Sequence, residues 1–159
     1  MKKMLAITQG LGLLFLVAIP RLTPAKAATV KIIISGPGLP APLEVIDEQI
    51  LNLSNVWVGQ FLDGSHGSPE KPPEGLKPYE LSFYVKLRDE EVRMMYVAYY
   101  YPSPSMKQGY IYLPGKGEPW YYLNVGTILR AGQDGRWNYA SPAWENLVKP
   151  LIVRTCKRL

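Results

Sequence analysis

Histidine is the side chain best suited to proton transfer near neutral pH, and this chain has one, His66. It stands between Ser65 and Ser68, three residues after Asp63. A Ser-His-acid arrangement is therefore available on residue types alone. Sequence neighbours do not make a triad, because a scaffold must hold the reacting groups in hydrogen-bond geometry. The chain also lacks a Gly-x-Ser-x-Gly elbow. His66 is thus a weak candidate for catalysis, and a solvated loop histidine is its default reading.

Carboxylate chemistry needs two acids facing each other across a cleft, one of them with a raised pKa. Glu44, Asp47 and Glu48 cluster, but helix capping accounts for the last two. Asp89-Glu90-Glu91 reads as a polar turn, and Glu80, Glu118 and Glu145 stand isolated. No pair stands out. One His and one Cys, far apart, do not make a typical zinc site, and the Asp-x-Asp start of a calcium loop is missing. No metal or cofactor is expected. Ser35-Gly36-Pro37-Gly38 superficially resembles a phosphate-binding turn, yet Pro37 lacks a backbone donor and no Gly-Lys-Ser/Thr follows. It reads as a turn. Cys156 is the only cysteine, so no intrachain disulfide is available, and a partly packed thiol is the expected state, with an intermolecular disulfide as the alternative.

The aromatic content is the one positive signal. After residue 27 the chain carries 11 Tyr, 4 Trp and 2 Phe, concentrated between Tyr96 and Tyr122. Strand alternation sends adjacent members of Tyr99-Tyr100-Tyr101 to opposite faces, so both faces of a middle sheet must carry rings. One face fills the core. The other must meet a helix, a partner or a ligand, and Tyr and Trp suit such half-wet surfaces. Tyr99, Tyr101, Tyr110, Tyr112 and Tyr122 are the candidate ligand-binding residues. The competing reading is scaffold alone, since cross-strand aromatic pairs stabilise sheets by roughly 0.2–1 kcal/mol each.

The elements that must position these residues read mostly as strand. Thr29–Ser35 is β-branched and apolar. Asp47 is an N-cap for a short helix over 48–53, and 55–61 reads as extended. Residues 63–78 form a Gly/Pro-rich loop expected to be flexible or functional. In 79–88, Leu81, Phe83, Val85 and Leu87 alternate with Glu80, Ser82, Tyr84, Lys86 and Arg88, the mark of a strand with one wet face. Residues 93–101 read as a strand apolar on both faces, hence a central one. Further strands are expected at 110–113, 120–125, 127–130 and 136–139, with a hairpin turn at Gly132-Gln133-Asp134-Gly135. Ser141 and Pro142 open a helix with one apolar face, expected to stop at Lys149 before Pro150. The fold class is mainly β (α+β): a twisted antiparallel meander sheet or small open barrel with two short helices. A β-sandwich is the alternative.

At the N-terminus, Lys2 and Lys3 precede the apolar run Leu11–Ile19, and Ala25-Lys26-Ala27 is a small-x-small cleavage site. Residues 1–27 thus read as a cleavable export signal, followed by a single domain over 28–159. The apolar run is too short for a spanning helix, and the absence of a Cys after it excludes a bacterial lipoprotein anchor. The expected location is periplasmic or extracellular. Of 18 Lys+Arg, Lys2, Lys3, Arg21 and Lys26 belong to this segment. The remaining fourteen face 13 acids, so the net charge of +5 falls to +1 and nucleic-acid binding loses its support. The expected function is a non-catalytic binding module for a saccharide, peptide or small apolar ligand. An envelope or secreted protein–protein interaction or structural role is the alternative, and a small secreted hydrolase ranks third.

Overall fold

The computed structural model describes residues 27–65, 69, 74–88, 91–104, 108–126 and 134–157. Apart from Ala27, the segment read as an export signal lies outside them, as does the strand expected at 127–130. Among the described residues no helix is long and apolar enough to cross a membrane.

Six strands form one antiparallel open sheet: β1 (Ala28–Ser35), β2 (Leu43–Val45), β3 (Tyr79–Lys86), β4 (Val92–Tyr101), β5 (Tyr110–Leu113) and β6 (Arg136–Tyr139). Their order is β2-β1-β3-β4-β5-β6. The last four make a meander. The first hairpin departs from it, because β3 pairs with the side of β1 that β2 leaves free. Three helices accompany the sheet: α1 (Glu48–Leu53), α2 (Tyr121–Asn124) and α3 (Pro142–Cys156). The sheet does not close, so the barrel variant does not apply, and the described residues contain no second sheet to make a sandwich.

Alternation sorts the side chains. Leu81, Phe83 and Val85 of β3 are fully buried on one face, with Ile32 and Ile34 of β1 beside them. On β4 the same face receives Tyr96, Ala98 and Tyr100, with Ile111 of β5 opposite Tyr100. A β-bulge shifts the β3–β4 register, so that Phe83 opposes Tyr96 but Tyr84 opposes Met94. Helices α1 and α3 close this face. Asp47 caps α1 by accepting from the Gln49 and Ile50 amides. The chain leaves α1 at Ser54, whose carbonyl accepts from Thr29 of β1 and whose hydroxyl accepts from the Trp144 indole of α3.

Three local expectations are corrected. Residues 55–61 run in successive turns, not as a strand. Asn55 accepts from the Trp57 amide through its side chain and from the Val58 and Gly59 amides through its carbonyl, and these local bonds displace extended pairing. Helix α3 does not end at Lys149 but runs on through Pro150 to Cys156. Pro150 lies on the exposed side, while Val148 and Ile152 stay buried on the sheet and hold the next turn in place. Residues 120–125 are not a strand. They form the one-turn helix α2, anchored by Asn124, whose carboxamide accepts from the Val97 amide and donates to the Val97 carbonyl. Strand β5 pairs with β4 only at residues 99–101, so the Asn124 side chain serves as a one-residue strand partner for Val97.

The buried rings set a pH dependence. Burial pushes the phenols of Tyr96 and Tyr100 well above the ordinary tyrosine value, with the Asp134 charge adding at Tyr96 and the Glu145 carboxylate at Tyr100. In the unfolded chain both ionise at about pH 10, as tyrosine ordinarily does. Above that pH the unfolded state binds fewer protons than the folded one, so stability falls as pH rises. The stabilisation is fully present below about pH 10 and is lost above it. A thermal melt series should therefore be flat with respect to these groups up to about pH 9 and decline beyond about pH 10. Phenolate absorbance from the buried pair should rise together with loss of near-UV circular dichroism. Full phenol titration near pH 10 with a native near-UV spectrum would contradict this core.

Candidate functional site

The face of the sheet opposite α1 and α3 carries two ordered rows. The first is Glu80 of β3, Tyr99 of β4, Tyr112 of β5 and Trp137 of β6, each directly opposite the next. The second is Tyr101, Tyr110 and Tyr139 on β4, β5 and β6. The rings lean on one another: Tyr112 and Trp137 at 4.6 Å between centroids, Tyr101 and Trp137 at 4.9 Å edge-on, Tyr110 and Tyr139 at 5.5 Å. All six rings are half-buried. They are neither sealed in a core nor free in solvent.

Of the tyrosines expected to bind, Tyr99, Tyr101, Tyr110 and Tyr112 share this surface. Tyr122 does not extend their rows. It sits on α2, 85% exposed, with its ring 5.5 Å from that of Tyr121. The residues before α2 build the rim. Glu118 accepts from the Tyr112 hydroxyl at 2.6 Å and from the Gly115 amide at 2.5 Å. Gly115 itself passes Gly135 so closely that a Cβ there would stand 2.7 Å from the Gly135 Cα, which fixes the turn against the start of β6. Trp120 donates its indole N–H to Glu80 across the row at 3.2 Å.

Trp120 is the one described non-glycine residue with positive φ, at 70°. The left-handed conformation costs an L-residue roughly 1–2 kcal/mol, so surrounding contacts must hold it. That strain turns a large ring, 38% exposed, onto the edge of the tyrosine row. Backbone strain of this kind concentrates where a fold presents a ligand-contacting group.

The electrostatics converge on Tyr99. Its phenol is pushed above the ordinary value by burial first, then by the charges of Glu80 and Glu118, with the Trp120 indole opposing. The Tyr112 phenol is raised by burial and by its bond to Glu118. Both carboxylates therefore act on one aromatic neighbourhood. Neither meets a Lys or Arg at ion-pair distance among the described residues.

His66 lies outside the described residues. Its expected acid, Asp63, binds the Ser65 amide and hydroxyl with one oxygen and the Gln108 side chain with the other, as a loop-shaping turn does. Among the described residues no group of three His, Cys, Asp or Glu side chains is placed to hold a metal.

Sequence reading missed Glu80, Glu118, Trp120 and Trp137 as members of the surface. Period-two alternation places Glu80 on the wet face of its strand, but the partner across β4 follows only from register. Trp120 and Glu118 lie outside the strands, where no periodicity reports their direction. Comparison with protein-family models, with curated proteins and with solved structures yields no match for this chain.

Proposed function

We propose that this protein is a non-catalytic binding module, acting outside the cytoplasm, whose aromatic sheet face takes a saccharide. The row Glu80–Tyr99–Tyr112–Trp137 carries this reading. Half-buried rings offer apolar surface to the C–H faces of a sugar. Their hydroxyls and indole N–H groups, with the two carboxylates at the rim, supply donors and acceptors for sugar hydroxyls. A small apolar ligand would use the rings but bring no further donor to the two carboxylates it covers, a desolvation cost without return.

The test is calorimetric titration with oligosaccharides, alongside thermal melts. A ligand that binds only the folded state stabilises it by about 2.7 kcal/mol at one hundred times its Kd, which a melt reads directly. Tyr101→Ala should weaken binding by about tenfold while leaving the far-UV spectrum unchanged. Saccharide binding that ignores Tyr101→Ala would place the site elsewhere, and no saccharide response of any kind would defeat the proposal. Tyr122, with most of its ring in solvent on α2, favours a second reading as a protein-contact surface. Under it, Tyr122→Ala abolishes capture of a protein partner and leaves sugars irrelevant.

A further inference from the structure

We infer that the saccharide taken by this face carries free amino groups, and that the ammonium of a hexosamine unit seats against Trp120 and Tyr99 beside the carboxylates of Glu80 and Glu118. The inference rests on the saccharide reading and adds the charge of the ligand.

Charge complementarity is its ground. Two acids near the sheet are ion-paired among the described residues, Glu44 with Lys31 at 3.4 Å and Glu91 with Arg93. Glu80 and Glu118 are not. Each instead accepts from neutral donors on the aromatic surface, Glu80 from Trp120 and Ser82, Glu118 from Tyr112 and the Gly115 amide. Those donors orient the carboxylates without neutralising them. The faces of tyrosine and tryptophan rings are themselves electronegative, and a cation over such a face is attracted most strongly by Trp. Two uncompensated carboxylates beside Trp120, Tyr99 and Tyr112 thus make a negative aromatic ledge. A neutral sugar would use its stacking surface and leave its field unanswered.

An ammonium answers both parts. It hydrogen-bonds carboxylate oxygens as a three-donor group and makes a cation–π contact with the ring beside it. The sugar ring that bears it lies on the tyrosine row. Acetylating the nitrogen removes the charge and all but one of its N–H donors, while the sugar ring is retained.

The experiment compares two ligands that differ in this respect alone. The purified protein is titrated calorimetrically, at low salt and about pH 5.5 where an amine is protonated, with a glucosamine pentamer and with an N-acetylglucosamine pentamer. The expected result is binding of the free amine about tenfold tighter or better, the scale of one cation–π contact with partial desolvation. That advantage should shrink as salt is raised. The double variant Glu80→Gln, Glu118→Gln keeps the side-chain shapes and should abolish the preference, so that the amine binds no tighter than the acetylated oligomer. Equal or tighter binding of the acetylated oligomer overturns the inference and leaves the saccharide reading standing. Binding of neither defeats both. An amine preference that survives in the double variant removes the two carboxylates from the site and overturns the inference. The wild-type comparison stands even if the double variant does not fold.

Discussion

Trp144→Ala is expected to cost roughly 3–5 kcal/mol, the range for truncating a large buried aromatic residue. For a single domain with a total stability of about 5–15 kcal/mol, that is a large share of the whole. Trp144 is fully buried. Its ring stands edge-on to Tyr100 at 5.3 Å and tilted to Phe61 at 6.4 Å. Its indole N–H donates to the Ser54 hydroxyl at 2.9 Å, and the Ser54 carbonyl accepts from Thr29. One side chain thus joins α3, the end of α1 and, through Ser54, the first strand. Truncation empties the space between the helices and the sheet and leaves a buried hydroxyl without its donor. Trp144→Phe separates the two losses. It keeps much of the volume and forfeits the hydrogen bond, so a smaller cost of about 1–2 kcal/mol is expected. Urea denaturation reads both as a lower midpoint at constant slope. A cost below about 1 kcal/mol for the alanine variant would mean that α3 is not docked through this ring.

The same residue shows what a sequence discloses. Trp144, Val148 and Leu151 recur at helical spacing, so the apolar face of α3 was legible. So were the alternation of β3 and the Asp47 cap, because each is encoded in consecutive residues and needs no partner to be recognised. Of the candidates Tyr99, Tyr101, Tyr110, Tyr112 and Tyr122, alternation alone pairs Tyr99 with Tyr101 and Tyr110 with Tyr112, whereas β4–β5 register brings the two pairs together and Tyr122 falls on α2. Where the reading failed, a distant partner decided the conformation. Residues 120–125 have strand-forming types, yet Asn124 is held by Val97 of β4, a contact 27 residues away in sequence, and the segment turns into a helix. Pro150 ends a helix by local rules, yet packing of Ile152 on the sheet carries the helix past it. Two acids that looked solitary, Glu80 and Glu145, take distant partners, Trp120 for the one and Tyr100 and Gly109 for the other, while Glu118 is held within its own turn by Gly115 and Tyr112. Register is a long-range property: a slip of β3 by one residue would send Glu80 to the core face and away from Tyr99.

Glu145 carries the second large effect, because its carboxylate is enclosed by donors and not by a countercharge. It is 6% exposed, accepts from the Tyr100 hydroxyl at 2.6 Å and from the Gly109 amide at 2.9 and 3.1 Å, and stands in the first turn of α3 where the helix dipole favours an anion. No Lys or Arg pairs with it among the described residues. The fit is tight: a Cβ at Gly109 would come within 2.6 Å of its carboxylate oxygen and 2.8 Å of the Tyr100 ring. Glu145→Ala leaves a buried phenol and a buried amide without an acceptor, so a loss of roughly 3 kcal/mol is expected. Glu145→Gln should recover only part of it. With its oxygen in the place of Oε1 it still accepts from Tyr100 and at the longer distance from Gly109, but its NH2 then faces the Gly109 N–H from which Oε2 accepts at 2.9 Å, where two donors meet. A glutamine variant as stable as wild type would show that shape, not acceptor capacity, is what the pocket requires. The consequence reaches the opposite side of the sheet. Gly109 leads into Tyr110, and Tyr100 lies between Tyr99 and Tyr101 on β4. The core-side carboxylate therefore pins the strand ends whose outward rings form the proposed binding rows. Loosening it should weaken saccharide binding through the position of those rings, in a protein where no ring on the binding face has been changed. The Glu80→Gln, Glu118→Gln double variant has the opposite profile, with its effect on ligand charge preference and little on the urea midpoint. The two variants thus distinguish the residues that meet the ligand from the residue that holds their strands in place.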